Sequence, residues 1–595
     1  MGRSKKKKTH RETTPAATTV SPAHVSQSAR NVRETIESIV IAFVLAFLFR
    51  TFEAEAFVIP TGSMAPTLRG RNKDVDCPEC GYRFQASASV EVDDQGGLPR
   101  DAMAGRKVVT ATCPMCRRTI SVADKPSYNG DRILVNKFIY EFQEPNRWDV
   151  IVFHFPGDAK MNYIKRLVGL PNEVVRIERG DIFVKPQGED RFTIVRKPLF
   201  KLWAILQSVH DTRYQPKVLA DKNWPLRWQV WPSDQTGGAA AWQSRIIESS
   251  DLDISQEFST DGSSPNTQWI RYRHLVPSQR DWQQLARGPL APDAVAAIRP
   301  KLITDFYGYN TSMTRDQGRI VPPQKLGLHW VGDLMVQCDV DVKSDQGDLI
   351  LDLVEAGKHF ECRIDVATGD ATLSIEGLIG FAPRAKTAIH SPGHYHVAFA
   401  NIDDQLQLWV DESLASFDAP TTYDVTQVYE DRDWMEPVER PQEGGDLAPA
   451  GIGSRGLAAD VTRIEVMRDI YYIADKGGPG QPITDFDLRT DRIYGRDDLA
   501  TPDYLWDSRL WDIFRRRQHV DFVMKEDQFF VLGDNSPYSK DGRLWHQDQF
   551  GHYVERQLLI GKALFVYWPH SWNQVPGTSI PFPFFPNFGD MGLVR

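Results

Sequence analysis

A chain of 595 residues with 41% hydrophobic and 25% charged residues has ordinary globular composition, which excludes a multi-span membrane protein. At roughly 150 residues per domain it has room for about four folded units. The formal net charge of −9 excludes nucleic acid as a general partner, because phosphate recognition needs a basic surface.

Residues 1–35 hold "RSKKKKTHRE" and then a Ser/Thr/Pro/Ala-rich stretch. This is too poor in apolar side chains to fold alone, so a disordered basic tail is expected. The uninterrupted apolar run Ile39–Phe49 follows. It is short for a span of about 20 residues. Admitting Glu37, Arg50, Glu53 and Glu55 extends it to a single transmembrane helix over residues 36–56. Eight Lys or Arg precede the run and acidic residues follow it, so the positive-inside rule puts the amino terminus in the cytoplasm and the remainder across the membrane. Two other readings stay open. The small-x-small "AEA" at Ala54–Ala56 has the form of a signal-peptide cleavage site, and the run could be a buried core helix.

From residue 57 to about 185, β-branched and aromatic runs alternate with Gly, Pro and Asp turns. "RILVNKFIY", "DVIVFHF" and "YIKRLVGL" read as strands and "LPNEVVRIERGDIFV" as a hairpin, which predicts an all-β platform. Residues 190–510 are rich in Trp, Pro and Gln at first and then alternate over about 325–470. There Leu334, Val336, Cys338, Val340 and Val342 share one face, as do Phe360, Cys362, Ile364 and Val366, and Leu406, Leu408 and Val410. Such strands predict an inserted β-sandwich. The pattern resembles laminin-G and concanavalin-like sandwiches. Cys338 and Cys362, each on an apolar face, suit buried thiols or a disulfide equally.

The other four cysteines form two Cys-x-x-Cys pairs, Cys77/Cys80 and Cys113/Cys116. Two such knuckles present four thiolates to a structural Zn ion and leave no position for a catalytic water. Two disulfides or free thiols are the alternatives. A zinc-ribbon-like finger is therefore predicted over 75–122, with "ASASVEVDDQGGLP" as a long excursion between the knuckles.

Four ordered motifs carry the chemistry. "FVIPTGSMAPTL", Phe57–Leu68, places Ser63 after Gly62 in a stretch stiffened by Pro60 and Pro66. "GDRILVNKF", Gly130–Phe138, comes next, then "RWDVIVFHFP" with "NYIKRLVGLP", Asn162–Pro171, then "GDNSPYSKDGRLW", Gly533–Trp545. "GKALFVYWP" closes the series. In order and content these resemble the boxes of signal peptidase I, a serine peptidase family with a Ser-Lys dyad. The resemblance implies Ser63 as nucleophile and Lys165 as general base, and Ser539 hydrogen-bonding and orienting Lys165. It further implies an Asp541–Arg543 ion pair, Gly533, Asp534 and Asn535 shaping the site wall, and an oxyanion hole made by the Ser63 N–H and the Thr61 hydroxyl. Gly542 stands where the family carries Ser, which puts a peripheral hydrogen bond in doubt.

A lysine works as a base only when neutral. From a reference value near 10.4, burial has to bring it down by about 2 to 3 pH units, at a cost of about 3 to 4 kcal/mol. Tyr163, Ile164, Leu167 and Val168 offer an apolar setting for that.

The resulting expectation is a mainly β protein: tail 1–35, transmembrane anchor 36–56, and an all-β signal-peptidase fold at 57–74, 123–189 and 511–595. Into it are inserted the finger at 75–122 and the 190–510 segment. The resemblance implies cleavage of signal peptides from exported preproteins after small-x-small residues. The enzyme would sit in the cell (inner) membrane with an extracytoplasmic catalytic domain and need no catalytic cofactor. Membrane lipid and the secretion translocase are its implied partners, with a ligand for the sandwich left unnamed. Two rivals remain: a tethered binding protein with a degenerate peptidase unit, which the intact Ser63, Lys165, Ser539 and Asp541 set opposes, and a LexA-type self-cleaving regulator, which the anchor and the lack of a helix-turn-helix pattern oppose.

Overall fold

The computed structural model describes residues 32, 34–44, 54–91, 107–231, 242–248, 253–316, 319–321, 326–429, 431, 435–475, 483–487, 502–545, 551–569, 571–575 and 580–595. The chain divides into a short unit, Met1–Glu55, and a large one, Ala56–Arg595. In the short unit, residues 34–44 are helical, while the tail up to residue 31 and the apolar run from residue 45 onward fall outside the described residues. Among the described residues no helix is long and apolar enough to cross a membrane.

The large unit is mainly β. Its first sheet orders Arg132–Asn136, Leu559–Trp568, Val150–Phe155, Asp158–Gly169, Gln528–Leu532 and Val554–Glu555 side by side. The two faces of this sheet bury different sets of residues. Ile59, Met64, Leu68, Val150 and Val152 share one apolar cluster, and Ile151, Phe153, Leu167, Val531 and Trp545 share another, as the period of two along each strand requires.

A second, four-stranded sheet contains the expected hairpin, Glu173–Glu178 with Asp181–Pro186. Its two-residue turn places Arg179 at φ 55° and Gly180 at φ 101°, the left-handed pair that matches the twist of a tight hairpin. Gly180 is required a second time, since a Cβ there would meet the Tyr471 ring at 2.6 Å.

Residues 207–468 contribute two further sheets, of nine and seven strands. Residues of both line one core, including the predicted faces Leu334–Val342, Phe360–Val366 and Leu406–Val410. These sheets begin earlier than the alternation suggested. Gln207–Asp211, Trp242–Glu248 and Asp253–Asp261 belong to the larger sheet, and Trp228–Val230 and Gln268–Tyr272 to the smaller. In Trp242–Glu248 only the first residue is buried, so that edge strand carries no alternating signal. Cys338 and Cys362 are free, buried thiols.

The finger pairs Asn72–Asp76 with Arg83–Ser87 and Lys107–Thr112 with Thr119–Ser121. It is not self-contained. Met313–Asp316, from the inserted segment, pairs with Lys107–Thr112, and Trp224, Trp282, Leu285 and Leu290 pack into the same core as the cysteines.

Candidate active site and cysteine centre

Lys165 sits on the long strand Asp158–Gly169, opposite Ile151 on the neighbouring strand. Its amine donates to Ser63 Oγ at 2.9 Å and to the Ile164 carbonyl at 2.8 Å. The lysine is 4% exposed and the serine 7%. Burial lowers the Lys165 pKa from 10.5 to about 8, against the opposing pull of Asp541 and Asp534. Near pH 8 the amine is therefore half neutral, and a neutral amine beside a hydroxyl can take its proton. The Tyr163 ring centroid lies 5.3 Å from the amine.

Ser63 is presented by a short turn. Gly62 is not in the left-handed region; it is needed because a Cβ would meet Tyr309 Cε1 at 2.4 Å. Gly70 and Gly130 serve the same loop, since a Cβ on Gly70 would strike the Thr61 backbone and one on Gly130 the Ile59 and Arg69 carbonyls. Thr61 is exposed. Among the described residues, the Ser63 N–H has no hydrogen-bond acceptor.

The Gly533–Trp545 segment forms the wall behind the serine. Gly533 must lack a side chain, for a Cβ would meet Ser539 Oγ at 2.1 Å and the Ser63 carbonyl at 2.4 Å. Asp534 accepts two bonds from Arg166, both at 2.7 Å, and one from Thr67 at 2.6 Å. The Asn535 N–H donates to the Ser63 carbonyl at 3.1 Å, and its Nδ2 to the Gly62 carbonyl at 2.9 Å. Asp541 and Arg543, both fully buried, form a two-pronged ion pair with both contacts at 2.8 Å. Asp541 also accepts from the Gly533 N–H.

One expectation about this segment is revised. No hydrogen bond joins Ser539 to Lys165: the Ser539 hydroxyl is buried against Gly533 with no hydrogen-bond partner among the described residues. Gly542 is dictated by space, since a Cβ would lie 2.8 Å from the His552 carbonyl and 2.9 Å from the Phe530 ring.

The cysteines converge as the motif spacing predicted. All four sulfurs are buried and lie within 4.8 Å of one another, with Cys77–Cys116 at 3.5 Å and Cys80–Cys113 at 3.7 Å. Zinc–thiolate bonds of about 2.3 Å set tetrahedral sulfurs about 3.8 Å apart, whereas a disulfide needs about 2.05 Å. The donor set and spacing therefore fit zinc, and all four cysteines are free. The two knuckles are built alike. Gly81 (φ 69°) and Arg117 (φ 61°) follow the second cysteine of each pair in left-handed conformation, and each N–H closes back on the first cysteine's carbonyl at 3.0 Å.

Sequence comparison bears on the domain that holds the lysine. Residues 106–196 and 463–568 match the family described as signal peptidase, peptidase S26. Over these two stretches the chain is similar to a peptidase S26 domain. The match breaks off at residue 196 and resumes at residue 463, within the strand Ala458–Arg468 of the nine-stranded sheet; it includes Lys165 and Gly533–Trp545 and begins after Ser63.

Signal peptidase I of Pseudomonas aeruginosa is 46% identical over 119 residues, covering 16% of this chain and 42% of the relative. That of Pseudomonas fluorescens is 34% identical over 125 residues, covering 17% and 44%. A probable signal peptidase I-1 of Synechocystis is 25% identical over 181 residues, covering 29% and 62%. The chain thus spans less than half the length of the two Pseudomonas relatives. Among solved structures, carbohydrate binding module CBM66 from Bacillus subtilis overlaps 39% of the chain and 94% of its own, at 9% identity and a TM-score of 0.17, too loosely to bear on the inserted sheets.

Motif reading missed Arg166, Thr67, Tyr309 and Asn310. Arg166 and Thr67 lay inside quoted motifs but have no signal beyond their charge or hydroxyl. Tyr309 and Asn310 come from the inserted segment and had none.

Proposed function

We propose that this protein is a membrane-anchored signal peptidase I that cleaves preproteins by Ser-Lys dyad hydrolysis. The observation that carries the reading is the 2.9 Å contact between a buried Lys165 amine and Ser63 Oγ. Neutral Lys165 removes the hydroxyl proton as Ser63 Oγ attacks the scissile carbonyl carbon. The resulting oxyanion is held by the Ser63 N–H and the Thr61 hydroxyl. The ammonium then protonates the leaving amine, and the acyl-enzyme is hydrolysed by a water that Lys165 deprotonates in turn.

The substrate is an extended peptide with small residues at the first and third positions before the cut, added to a sheet edge. The apolar run before Phe57 anchors the chain in the cell membrane with the peptidase domain extracytoplasmic. Zinc held by Cys77, Cys80, Cys113 and Cys116 is structural.

Cleavage of a synthetic signal peptide tests the dyad. Ser63→Ala and Lys165→Arg are expected to abolish it, the latter because a guanidinium keeps its proton near neutral pH. Near wild-type cleavage by folded Lys165→Arg excludes the lysine as base.

A further inference from the structure

The inserted segment reaches the serine through one short turn. Gly308–Asn310 forms a single 3-10 turn gripped on the finger side. Thr311 Oγ1 accepts from the Thr112 N–H at 2.8 Å and donates to the Gly308 carbonyl at 2.7 Å. Ser312 Oγ donates to the Ser87 carbonyl at 2.6 Å, and a Cβ on Gly308 would lie 2.9 Å from Pro114. From this fixed base Asn310, 4% exposed, faces Asn535.

The two side-chain amides pair head to tail. Asn310 Nδ2 donates to Asn535 Oδ1 at 2.6 Å, and Asn535 Nδ2 donates to Asn310 Oδ1 at 2.8 Å. The second Nδ2 proton of Asn535 goes to the Gly62 carbonyl at 2.9 Å, so both of its donors are used. The Gly62 carbonyl thereby selects which way round the Asn535 amide sits, and the two bonds to Asn310 hold the amide against that carbonyl. Turned over, its oxygen would face the Gly62 oxygen, acceptor against acceptor.

The Gly62 carbonyl and the Ser63 N–H belong to one planar peptide unit, so fixing the direction of one fixes the other. We propose that Asn310 is a positioning residue of the active site: by clamping the Asn535 amide it aims the Ser63 N–H at the developing oxyanion. The inserted segment then completes the peptidase site. This rests on the Ser63–Lys165 reading, since an oxyanion donor matters only where Ser63 attacks a carbonyl.

The test uses the full chain and a signal-peptide substrate at pH 9, with rates expressed per site titrated by active-site labelling. Removing an oxyanion donor costs about 10²–10³ in kcat. Misaiming it through Asn310→Ala is expected to lower kcat about tenfold, with KM within twofold of wild type. The Ki of a peptide aldehyde, which adds to the serine and places an oxygen in the same hole, should rise by the same factor.

Asn310→Asp decides between clamping and mere filling of space. An ionised carboxylate still accepts from Asn535 Nδ2 but sets an oxygen against Asn535 Oδ1 whichever way the amide sits, pushing it away from the Gly62 carbonyl, so the clamp requires Asn310→Asp to be slower than Asn310→Ala, by up to about a further tenfold. A filler role requires the reverse, because aspartate matches asparagine in shape. Wild-type kcat in Asn310→Ala, or a faster Asn310→Asp, overturns the proposal. Should Asn310→Ala not fold, Asn310→Ser gives the same comparison. Undiminished cleavage by Ser63→Ala removes the dyad reading and the clamp with it, whereas an inactive Ser63→Ala beside a wild-type Asn310→Ala overturns the clamp alone.

Discussion

Lys165 is held in a state that favours chemistry over stability. Its pKa falls from 10.5 to about 8 on burial. Below pH 8 the folded protein carries a charged, buried amine that an unfolded chain would protonate more readily, and the penalty is complete there. Between pH 8 and 10.5 the unfolded chain binds more protons than the folded one, so this site makes stability rise with pH, by about 3 kcal/mol in all at roughly 1.36 kcal/mol per pH unit. Activity and stability should thus climb together: kcat/KM rises through pH about 8 as the amine loses its proton. Lys165→Met is expected to be inactive yet more stable than wild type at pH 7, with the difference shrinking towards pH 10.5. Denaturant unfolding of the two proteins at pH 7 and pH 10 checks this. A Lys165→Met protein less stable than wild type at pH 7 would mean that the amine is not the strained group.

At the level of elements, legibility followed the physics of each segment. Strands with an alternating apolar face announced themselves, as in Leu334–Val342, where five alternate residues enter one core. The hairpin at Glu173–Pro186 was legible as a whole in "LPNEVVRIERGDIFV". The cysteine knuckles were legible through spacing, because two sulfurs three residues apart can face one point. What stayed hidden is contact between distant parts of the chain. Asn310 meets Asn535 across 225 positions, and nothing local to "YGYN" marks that. Nor does the finger's own sequence reveal that Trp282 donates to the Cys116 carbonyl at 3.0 Å. That contact changes what loss of metal should do. On the proposal that Cys77, Cys80, Cys113 and Cys116 hold one zinc per chain, chelation should loosen the helix Gln279–Leu285 as well as the finger. A fall in melting temperature and faster hydrogen exchange across both segments are the expected result. Protein isolated without zinc and with two disulfides would contradict the site.

On the scale of the whole molecule, the inserted sheets cannot be trimmed where the alternating pattern begins and ends. Excising residues 325–470 looks conservative in sequence, but it removes the partners of strands that start at Gln207. Asp253–Asp261 pairs with Ala458–Arg468, and Gln268–Tyr272 with Ala450–Arg455. Trp228, Trp242, Phe258, Ile270 and Tyr272, each at most 3% exposed, would lose the core they share with the deleted strands. At about 1.5 to 3 kcal/mol per large apolar side chain, these five alone put about 7 to 15 kcal/mol at stake. That equals the whole stability of a typical domain, about 5 to 15 kcal/mol. The shortened chain is therefore expected to be aggregated or rapidly proteolysed, and to lose peptide cleavage because the stretch Thr304–Phe306 leading into the Tyr309–Asn310 turn loses its bonds to His329, Trp330 and Arg468. Size-exclusion chromatography, limited proteolysis and a cleavage assay on the same preparation separate the outcomes. A monomeric, protease-resistant deletion that cleaves at the wild-type rate would show that the stretch from Gln207 to Tyr272 holds together alone and that the sheets are an appendage to the peptidase.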